Sequence, residues 1–362
     1  MSYKNKMTAA VVYGRNDLRV EQVDIPEVPE GSIRIKVMSC AICGTDKRIY
    51  KAGDYRASYP VITGHEIAGV VESVAPGVTS VKVGDRVCVA PGHGCGHCAA
   101  CKAGFPNVCL TPHPSLGYKL NGGFAEYMAI PRHIFELGFV NRIPDGLSFD
   151  RASLSEIVAC CINAQNNVSV KKGDTVLIFG AGPAGLIHAQ LSKLRGASKV
   201  IMTQRSAFRL ERAKADFSDA VDYVISSEQE DLTSRVLELT DGRGADVVIV
   251  CAPSAQAQEQ AVSLAAPRGR INFFGGLPKD ANTVSLDANM IHYKELFISG
   301  ASSSHPEGNR EALKLLSEKK IDPDRLITHV FPLSQVALGY ENMENKMAIK
   351  VVIHCSEHSS EE

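Results

Sequence analysis

The chain has 362 residues, 44% of them hydrophobic and 22% charged, with a formal net charge of −1 at pH 7. This composition is that of a folded globular protein, and the length predicts two domains. A nearly neutral chain offers no basic surface for nucleic acid or an anionic membrane, and it has no run of eighteen apolar residues to span a bilayer. Because Met1 to Lys6 form no apolar leader, we expect a cytoplasmic protein with a small-molecule partner.

Short strand-like runs separated by glycine and proline turns follow between residues 7 and 90. They lie at Thr8–Tyr13, Ser32–Met38, Gly69–Val74 and Arg86–Ala90. Their length and spacing predict a compact all-β unit.

Two short motifs in this unit carry candidate metal ligands. Cys43-Gly44-Thr45-Asp46 supplies a thiolate, a hydroxyl and a carboxylate, and Gly64-His65-Glu66 supplies an imidazole and a second carboxylate. A catalytic zinc takes few protein ligands of these types and keeps one position open. The Cys and His pair is a weak signal by itself, since such pairs occur by chance.

Four of the eleven cysteines form one tight cluster: Cys95, Cys98, Cys101 and Cys109. Four thiolates at this spacing can surround one zinc as a closed tetrahedral shell, which predicts a structural metal. Iron–sulfur clusters also take four cysteines, but their usual spacings differ. A nucleic-acid-binding zinc module is a further alternative, and the near-zero net charge argues against it.

A helical pattern from about Ser148 to Asn166 contains Glu156 among apolar neighbours. A carboxylate in that setting is either exposed on one face or buried with a partner. The local pattern alone favours the exposed alternative.

A continuous apolar run, Thr175–Phe179, then leads into a glycine motif and a helical pattern, Leu186–Leu194. The motif is Gly180-Ala181-Gly182-Pro183-Ala184-Gly185, which matches G-x-G-x-x-G between a buried strand and a helix. Its glycines allow a tight turn, close approach of a pyrophosphate, and close packing of helix on strand. We therefore expect residues 180, 182, 183, 184 and 185 to bind a dinucleotide at the helix N-terminus.

Strand and helix patterns continue to alternate up to about residue 300, which predicts a doubly wound parallel sheet. Later strand-like runs at Ile327–Leu333 and Ile349–His354 are expected to return to the first domain. The predicted domains are therefore 1–160, completed by 302–362, and 161–301.

The end of the second strand of this sheet bears on the choice of cofactor. NAD-binding enzymes place Asp or Glu there, against the ribose 2′-hydroxyl. This chain has Gln204, Arg205 and Ser206, with Arg209 following, and no carboxylate before Glu211. An uncharged glutamine beside arginines suits a 2′-phosphate and favours NADP. In the alternative, the arginines are solvated, Gln204 binds the hydroxyls, and the cofactor is NAD.

Together these motifs, with Gly84-Asp85-Arg86-Val87 and Gly122-Gly123-Phe124-Ala125-Glu126-Tyr127, resemble the zinc-dependent medium-chain dehydrogenase/reductase family over nearly the whole chain. Within it, the chain is most similar to polyol dehydrogenases of the sorbitol and galactitol-phosphate type. The resemblance implies an α/β protein with a Rossmann sheet and a GroES-like, mainly β catalytic domain that bears the four-Cys zinc lobe. It also implies two zinc ions per chain, one catalytic and one structural.

The same resemblance assigns roles in the catalytic site. Cys43 and His65 would ligate the catalytic zinc. Glu156 stands where the polyol type has a glutamate, so similarity favours it as a further ligand, directly or through water. Glu66 is the other candidate for that place. Asp46 would fix the His65 ring from outside the metal shell.

The implied activity is hydride transfer between NAD(P) and the secondary hydroxyl of a polyol or sugar alcohol, with or without a phosphate. Thr45 would take the hydroxyl proton. Ile157, where the polyol type has proline, weakens the substrate assignment, so a threonine or simple alcohol dehydrogenase is the runner-up. A catalytically inactive binding or structural relative is another alternative. Similar enzymes associate through the last strand of the nucleotide domain, here Leu296–Ser299, which predicts a homodimer or homotetramer.

Overall fold

The computed structural model describes residues 5–357. Contacts divide these residues into two compact units. The first contains the residues up to Ala159 and those from Ser304 onward, and the second is Cys160–Ser303. None of the helices within 5–357 is long and apolar enough to cross a membrane.

The strands, numbered in chain order, are β1 (Lys6–Gly14), β2 (Asp17–Asp24), β3 (Ile33–Ala41), β4 (Val61–Ile62), β5 (Glu66–Val74), β6 (Arg86–Val89), β7 (Tyr127–Ile130), β8 (Val140–Arg142), β9 (Thr175–Phe179), β10 (Lys199–Gln204), β11 (Tyr223–Ser226), β12 (Ala245–Val250), β13 (Ala265–Phe273), β14 (Phe297–Gly300), β15 (Ile327–Pro332) and β16 (Lys350–His354).

The helices are α1 (Gly44–Ala52), α2 (Ala99–Lys102), α3 (Arg132–Glu136), α4 (Phe149–Ser153), α5 (Ser155–Asn167), α6 (Pro183–Leu194), α7 (Ala207–Asp216), α8 (Leu232–Leu239), α9 (Ala255–Leu264), α10 (Ala288–Tyr293), α11 (Pro306–Ser317), α12 (Pro323–Leu326) and α13 (Val336–Glu344). Two short 3-10 turns, Pro106–Val108 and Leu333–Gln335, complete the described helical segments.

The second unit is built on a six-stranded parallel sheet in the order β11-β10-β9-β12-β13-β14. Counted from β9, this is the 3-2-1-4-5-6 order of a doubly wound dinucleotide fold, so the predicted sheet is confirmed. Four consecutive residues of β12, Val247 to Val250, have no exposed surface. A strand covered on both faces reads as a continuous apolar run, which is the pattern that predicted it.

The first unit contains a three-stranded sheet, β2-β1-β4, and a seven-stranded sheet in which β16, β3 and β5 are consecutive neighbours. β3 is antiparallel to both of its neighbours, with Ala41 opposite Glu66 and Val352. The C-terminal end of β3 therefore lies beside the N-terminal ends of β5 and β16, at one end of these strands. The C-terminal segment thus joins the first unit, and that end of the strands carries the candidate site.

The prediction of an all-β unit over residues 7–90 is wrong at one place. Residues 44–52 form α1, which directly follows Cys43. The sequence there mixes Asp, Lys and Arg with only a few apolar side chains, so its apolar periodicity is weak. In the structure Ile49 of α1 is buried, and Asp46 in the first turn of the helix is also buried.

Candidate metal centre and nucleotide-binding turn

Strand pairing brings the two candidate metal motifs together. Cys43 follows β3 and caps the N-terminus of α1, whereas His65 immediately precedes β5. A sulfur of Cys43, a ring nitrogen of His65 and a carboxylate oxygen of Glu66 all lie within 4.8 Å of one another. One soft thiolate, one imidazole and one carboxylate at this separation suit zinc and leave room for a fourth ligand. The donor set therefore fits the predicted catalytic metal.

Asp46 organises this group from the first turn of α1. It is fully buried, and its Oδ2 accepts a hydrogen bond from the Cys43 backbone N–H at 2.8 Å. Its Oδ1 lies 3.0 Å from the Gly64 backbone nitrogen and 3.2 Å from His65 Nδ1. Because Nδ1 is engaged, Nε2 is the ring nitrogen left for a metal. Burial alone would lower the pKa of His65, but the Asp46 carboxylate together with Tyr118 and Cys43 raises the pKa well above its usual range.

Glu66 forms a buried ion pair that the sequence did not reveal. Its carboxylate oxygens lie 2.6 and 2.5 Å from Lys350 Nζ at the start of β16, and Lys350 also donates to the Ile42 carbonyl at 3.0 Å. Both side chains are at most 1% exposed. Burial lowers the pKa of Lys350, but Glu66, Cys43 and Glu156 together raise it above its ordinary value, so the ammonium persists. This ion pair therefore connects one of the candidate metal ligands, Glu66, to β16.

Glu156 lies in the first turn of α5 and is only 6% exposed, so the exposed alternative favoured by the local pattern is wrong. It is not part of the compact Cys43, His65 and Glu66 group. Burial is the main cause that raises the pKa of Glu66, to about 7, and the Glu156 charge raises it further. The Glu156 charge is also one of the smaller causes that raise the pKa of Lys350. The structure therefore places Glu156 beside the group and within electrostatic reach of it.

The four predicted lobe cysteines also converge. Their sulfurs all lie within 4.8 Å of one another, with Cys95 to Cys101 at 3.9 Å and Cys98 to Cys109 at 3.7 Å. Four sulfurs at about 2.3 Å from one zinc would stand roughly 3.8 Å apart, so this cluster fits a closed tetrahedral shell. Gly94 has φ +125°, and a Cβ there would lie 2.7 Å from Pro106, so glycine permits the turn.

In the second unit, the glycine motif forms the turn between β9 and α6. Gly180 has φ +109°, a conformation that favours glycine, and Gly182 is the N-cap of α6 with Pro183 at the first helical position. The first backbone N–H groups of α6 have no partner within the helix, which makes this end suited to a phosphate. Ala184 and Gly185 complete the first turn.

We expect Gly185→Ala to destabilise the second unit by about 1–3 kcal/mol or more, because overpacking forces backbone to move. A Cβ on Gly185 would lie 1.8 Å from the Gly180 carbonyl oxygen. Denaturant unfolding would measure the loss. Gly276→Ala is the matched control, since nothing lies within 4 Å of a Cβ there. Equal unfolding free energies for the two variants would contradict close packing at this turn.

The residues predicted to choose the cofactor lie where β10 ends and α7 begins. Gln204 Oε1 accepts hydrogen bonds from the backbone nitrogens of Arg205 and Ser206, at 2.7 and 3.3 Å. Its amide NH₂ is therefore the group that remains for a ligand. Arg205 is exposed, whereas Arg209 is partly buried and its Nη1 lies 3.5 Å from the Cβ position of Gly182. Arg209 thus stands over the glycine turn itself.

Comparisons with known proteins agree with both units. Residues 29–138 match the alcohol dehydrogenase GroES-like domain, and residues 183–318 match the zinc-binding dehydrogenase domain. A sorbitol dehydrogenase of Halalkalibacterium halodurans is 32% identical over 94% of this chain and 96% of its own. An L-threonine 3-dehydrogenase of Pyrococcus abyssi is 36% identical over 86% of this chain and 87% of its own.

Two solved structures are similar along almost the whole chain. One is a short-chain alcohol dehydrogenase of E. coli CFT073 in complex with NADH, with a TM-score of 0.86 and 32% identity over 97% of this chain and 99% of its own. The other is a zinc-binding dehydrogenase of Sinorhizobium meliloti 1021 bound to NADP, with a TM-score of 0.89 and 29% identity over 97% and 100%. On this sequence and structural similarity, the chain belongs to the zinc-dependent medium-chain dehydrogenases and lies close to the polyol dehydrogenases.

Proposed function

We propose that this protein is a zinc-dependent oxidoreductase that transfers hydride between NAD(P) and the secondary hydroxyl carbon of a polyol or sugar alcohol. The observation that carries the proposal is the group of Cys43, His65 and Glu66 around one point, held by the buried Asp46. The same chain carries a dinucleotide turn after the first strand of a doubly wound sheet. These are the two binding functions that such a dehydrogenase needs.

Zinc held by Cys43 and His65 would act as a Lewis acid that lowers the pKa of the substrate hydroxyl. Glu66 belongs to the same compact group, which supports it as the third donor, and Glu156 would act from beside it. Asp46 keeps the His65 ring oriented through Nδ1. The lobe cysteines would hold a second, structural zinc.

Thr45 is the proposed proton acceptor for the substrate hydroxyl. Its Oγ1 accepts from Arg48 Nη2 at 3.5 Å, so the proton of Thr45 is not used in that contact. The hydroxyl can therefore receive a proton from the substrate while releasing its own toward solvent.

The direct test is reduction of NAD and NADP, side by side, with a panel of polyols, polyol phosphates, threonine and simple alcohols, with and without a chelator. Chelator-sensitive turnover of a polyol or polyol phosphate is expected. Turnover of threonine alone would replace the polyol assignment, and the 36% identity to a threonine dehydrogenase makes this the second candidate. No turnover, with one zinc per chain instead of two, would indicate an inactive relative.

For the cofactor we propose NADP over NAD. A carboxylate at the end of β10 would repel a 2′-phosphate, and Gln204 instead leaves an amide NH₂. Arg205→Ala should therefore lower kcat/KM for NADP by about 10-fold or more and leave kcat/KM for NAD nearly unchanged. Both kcat/KM values are measured by varying the cofactor while the same alcohol substrate is held at a saturating concentration. An equal loss for both cofactors would count against a 2′-phosphate site here.

We also propose that the protein associates through β14. This strand is an edge of the six-stranded sheet, and it exposes Phe297 and Ile298. Exposed apolar edge strands pair readily with a second copy, which supports the predicted dimer or tetramer. Light scattering would give the mass of the assembly.

The predicted limits of the catalytic domain (1–160 with 302–362) and of the nucleotide domain (161–301) stay predictions, as does the cytoplasmic location.

A further inference from the structure

Two arginines outside the candidate metal group share one carboxylate. Asp54 follows α1 and its side chain is 4% exposed. Arg56 binds it in a bidentate manner, with Nε to Oδ1 at 2.9 Å and Nη2 to Oδ2 at 2.7 Å. Arg48 Nε and Nη2 each lie 3.0 Å from the same Oδ2. Burial raises the pKa of Asp54, but the hydrogen bonds from Arg56 and the charges of Arg56 and Arg48 together lower the pKa well below its usual range.

This cluster therefore carries an excess of one positive charge, because two guanidinium groups oppose a single ionised carboxylate. Both arginine side chains remain about two-fifths exposed, at 41% and 42%. Within residues 5–357, neither Nη1 has a hydrogen-bond partner. Each arginine thus keeps donors that a ligand could use.

The cluster is connected to the proposed reacting groups on two sides. On one side, Arg48 Nη2 lies 3.5 Å from Thr45 Oγ1. On the other, the Arg56 guanidinium lies 5.2 Å from the centre of the Tyr118 ring, which in turn lies 5.4 Å from the His65 ring. The side chains thus form a continuous rim running from Thr45 through Asp54 to His65.

We propose that Arg56 and Arg48 form an anion subsite, so that the substrate of this enzyme is a polyol bearing a phosphate or a carboxylate. The inference rests on the proposed function and narrows its substrate class. A bidentate guanidinium recognises both anions, because its paired N–H groups match two oxygens of either. Asp54 holds Arg56 in one orientation, so little side-chain freedom remains to be lost on binding.

The geometry favours Arg56 as the main anion ligand. Arg48 already donates a hydrogen bond to Thr45, whereas the guanidinium of Arg56 lies over the Tyr118 ring. A substrate whose hydroxyl reaches Thr45 and His65 would extend along Tyr118 and present its far end to Arg56. A neutral polyol would leave the excess charge uncompensated and gain nothing from it.

The test compares sorbitol 6-phosphate, gluconate and sorbitol as substrates of the zinc-loaded enzyme and of Arg56→Met. In the wild type, kcat/KM should be higher for one of the two anions than for sorbitol. In Arg56→Met, KM for that anion should rise about 10- to 100-fold with kcat little changed, while KM for sorbitol and for the cofactor stays the same. Arg56→Lys should recover part of the loss. Arg19→Met, at an exposed arginine paired with Asp17, is the matched control.

Direct binding of the same three compounds, measured by calorimetry, keeps the inference testable if turnover fails. If the wild type turns over none of the substrates, the proposed function is contradicted. The subsite would still be supported if the wild type binds an anion more tightly than sorbitol and Arg56→Met loses that tighter binding. Equal binding of sorbitol and the anions would overturn it. A rise in the KM of the cofactor instead of the substrate would overturn it as well, and would assign the arginines to cofactor binding.

Discussion

Replacing Cys43 with alanine is expected to lower turnover by about a thousandfold or more and to reduce the zinc content from two ions per chain to one. A metal acting as Lewis acid lowers the activation barrier by several kcal/mol, and that stabilisation is lost when a thiolate ligand is removed. Cys43 sits at the N-cap of α1 and is only partly buried, so the fold should tolerate the smaller side chain. Metal analysis and steady-state kinetics on the same preparation measure both effects.

Thr45→Ala is the matched control because Thr45 lies two residues away on the same helix and supplies no metal donor in the proposed site. It should lose turnover severely while keeping two zinc ions per chain. If Thr45→Ala loses both its turnover and its catalytic zinc, the substitution has disturbed α1, and the loss of turnover cannot be assigned to the missing hydroxyl. A Cys43→Ala protein that retained two zinc ions would remove Cys43 from the metal site.

Lys350→Met is expected to reduce the free energy of unfolding by about 3–5 kcal/mol, which is the usual cost of leaving a buried charge without its partner. Lys350 is 1% exposed and holds both oxygens of Glu66. Burial raises the pKa of Glu66 to about 7, the Lys350 charge opposes that rise, and the Glu156 charge adds to it. Without the ammonium, the Glu66 carboxylate would lose the cation that holds it in this buried site. Denaturant unfolding of the metal-free proteins measures the loss.

The double variant Glu66→Gln with Lys350→Met separates the two contributions. If the cost arises from an unpaired Glu66, removing that charge as well should recover much of the stability, giving a large interaction energy in the double-mutant cycle. If Lys350→Met lowers the free energy of unfolding by less than about 1 kcal/mol, the ion pair contributes no more than an exposed surface pair does. Adding zinc should stabilise Lys350→Met more than the wild type if the released carboxylate becomes a better metal ligand.

Several features of this protein were predicted correctly because their information is contiguous in the sequence. The parallel strand before Gly180 is an unbroken apolar run, and the glycine turn follows it directly. The four lobe cysteines lie within fifteen residues, so only tight turns are needed to bring their sulfurs together. The roles proposed for these residues still await the tests above.

Other features depended on pairings far apart in the chain. Lys350 and Glu66 are separated by 284 positions in the sequence. Lys350 is the first residue of an apolar strand, and nothing in that local pattern indicates a buried partner for it. Only the register of β16 on β3 and of β3 on β5 brings the two side chains together. The burial of Glu156 was likewise misjudged, because the helical pattern around it cannot show which surface covers the helix.

The sequence by itself determined the doubly wound sheet, the nucleotide turn and the four-cysteine cluster, because each of these depends on local periodicity or on the spacing of nearby residues. The family and the candidate ligands of the catalytic metal followed from the resemblance of its motifs to known enzymes. Tertiary structure alone shows that Glu66 lies with Cys43 and His65, that Lys350 forms an ion pair with Glu66, and that Arg48 and Arg56 share Asp54. Those features follow from strand register and from the electrostatics of buried groups, which depend on neighbours that no local pattern contains.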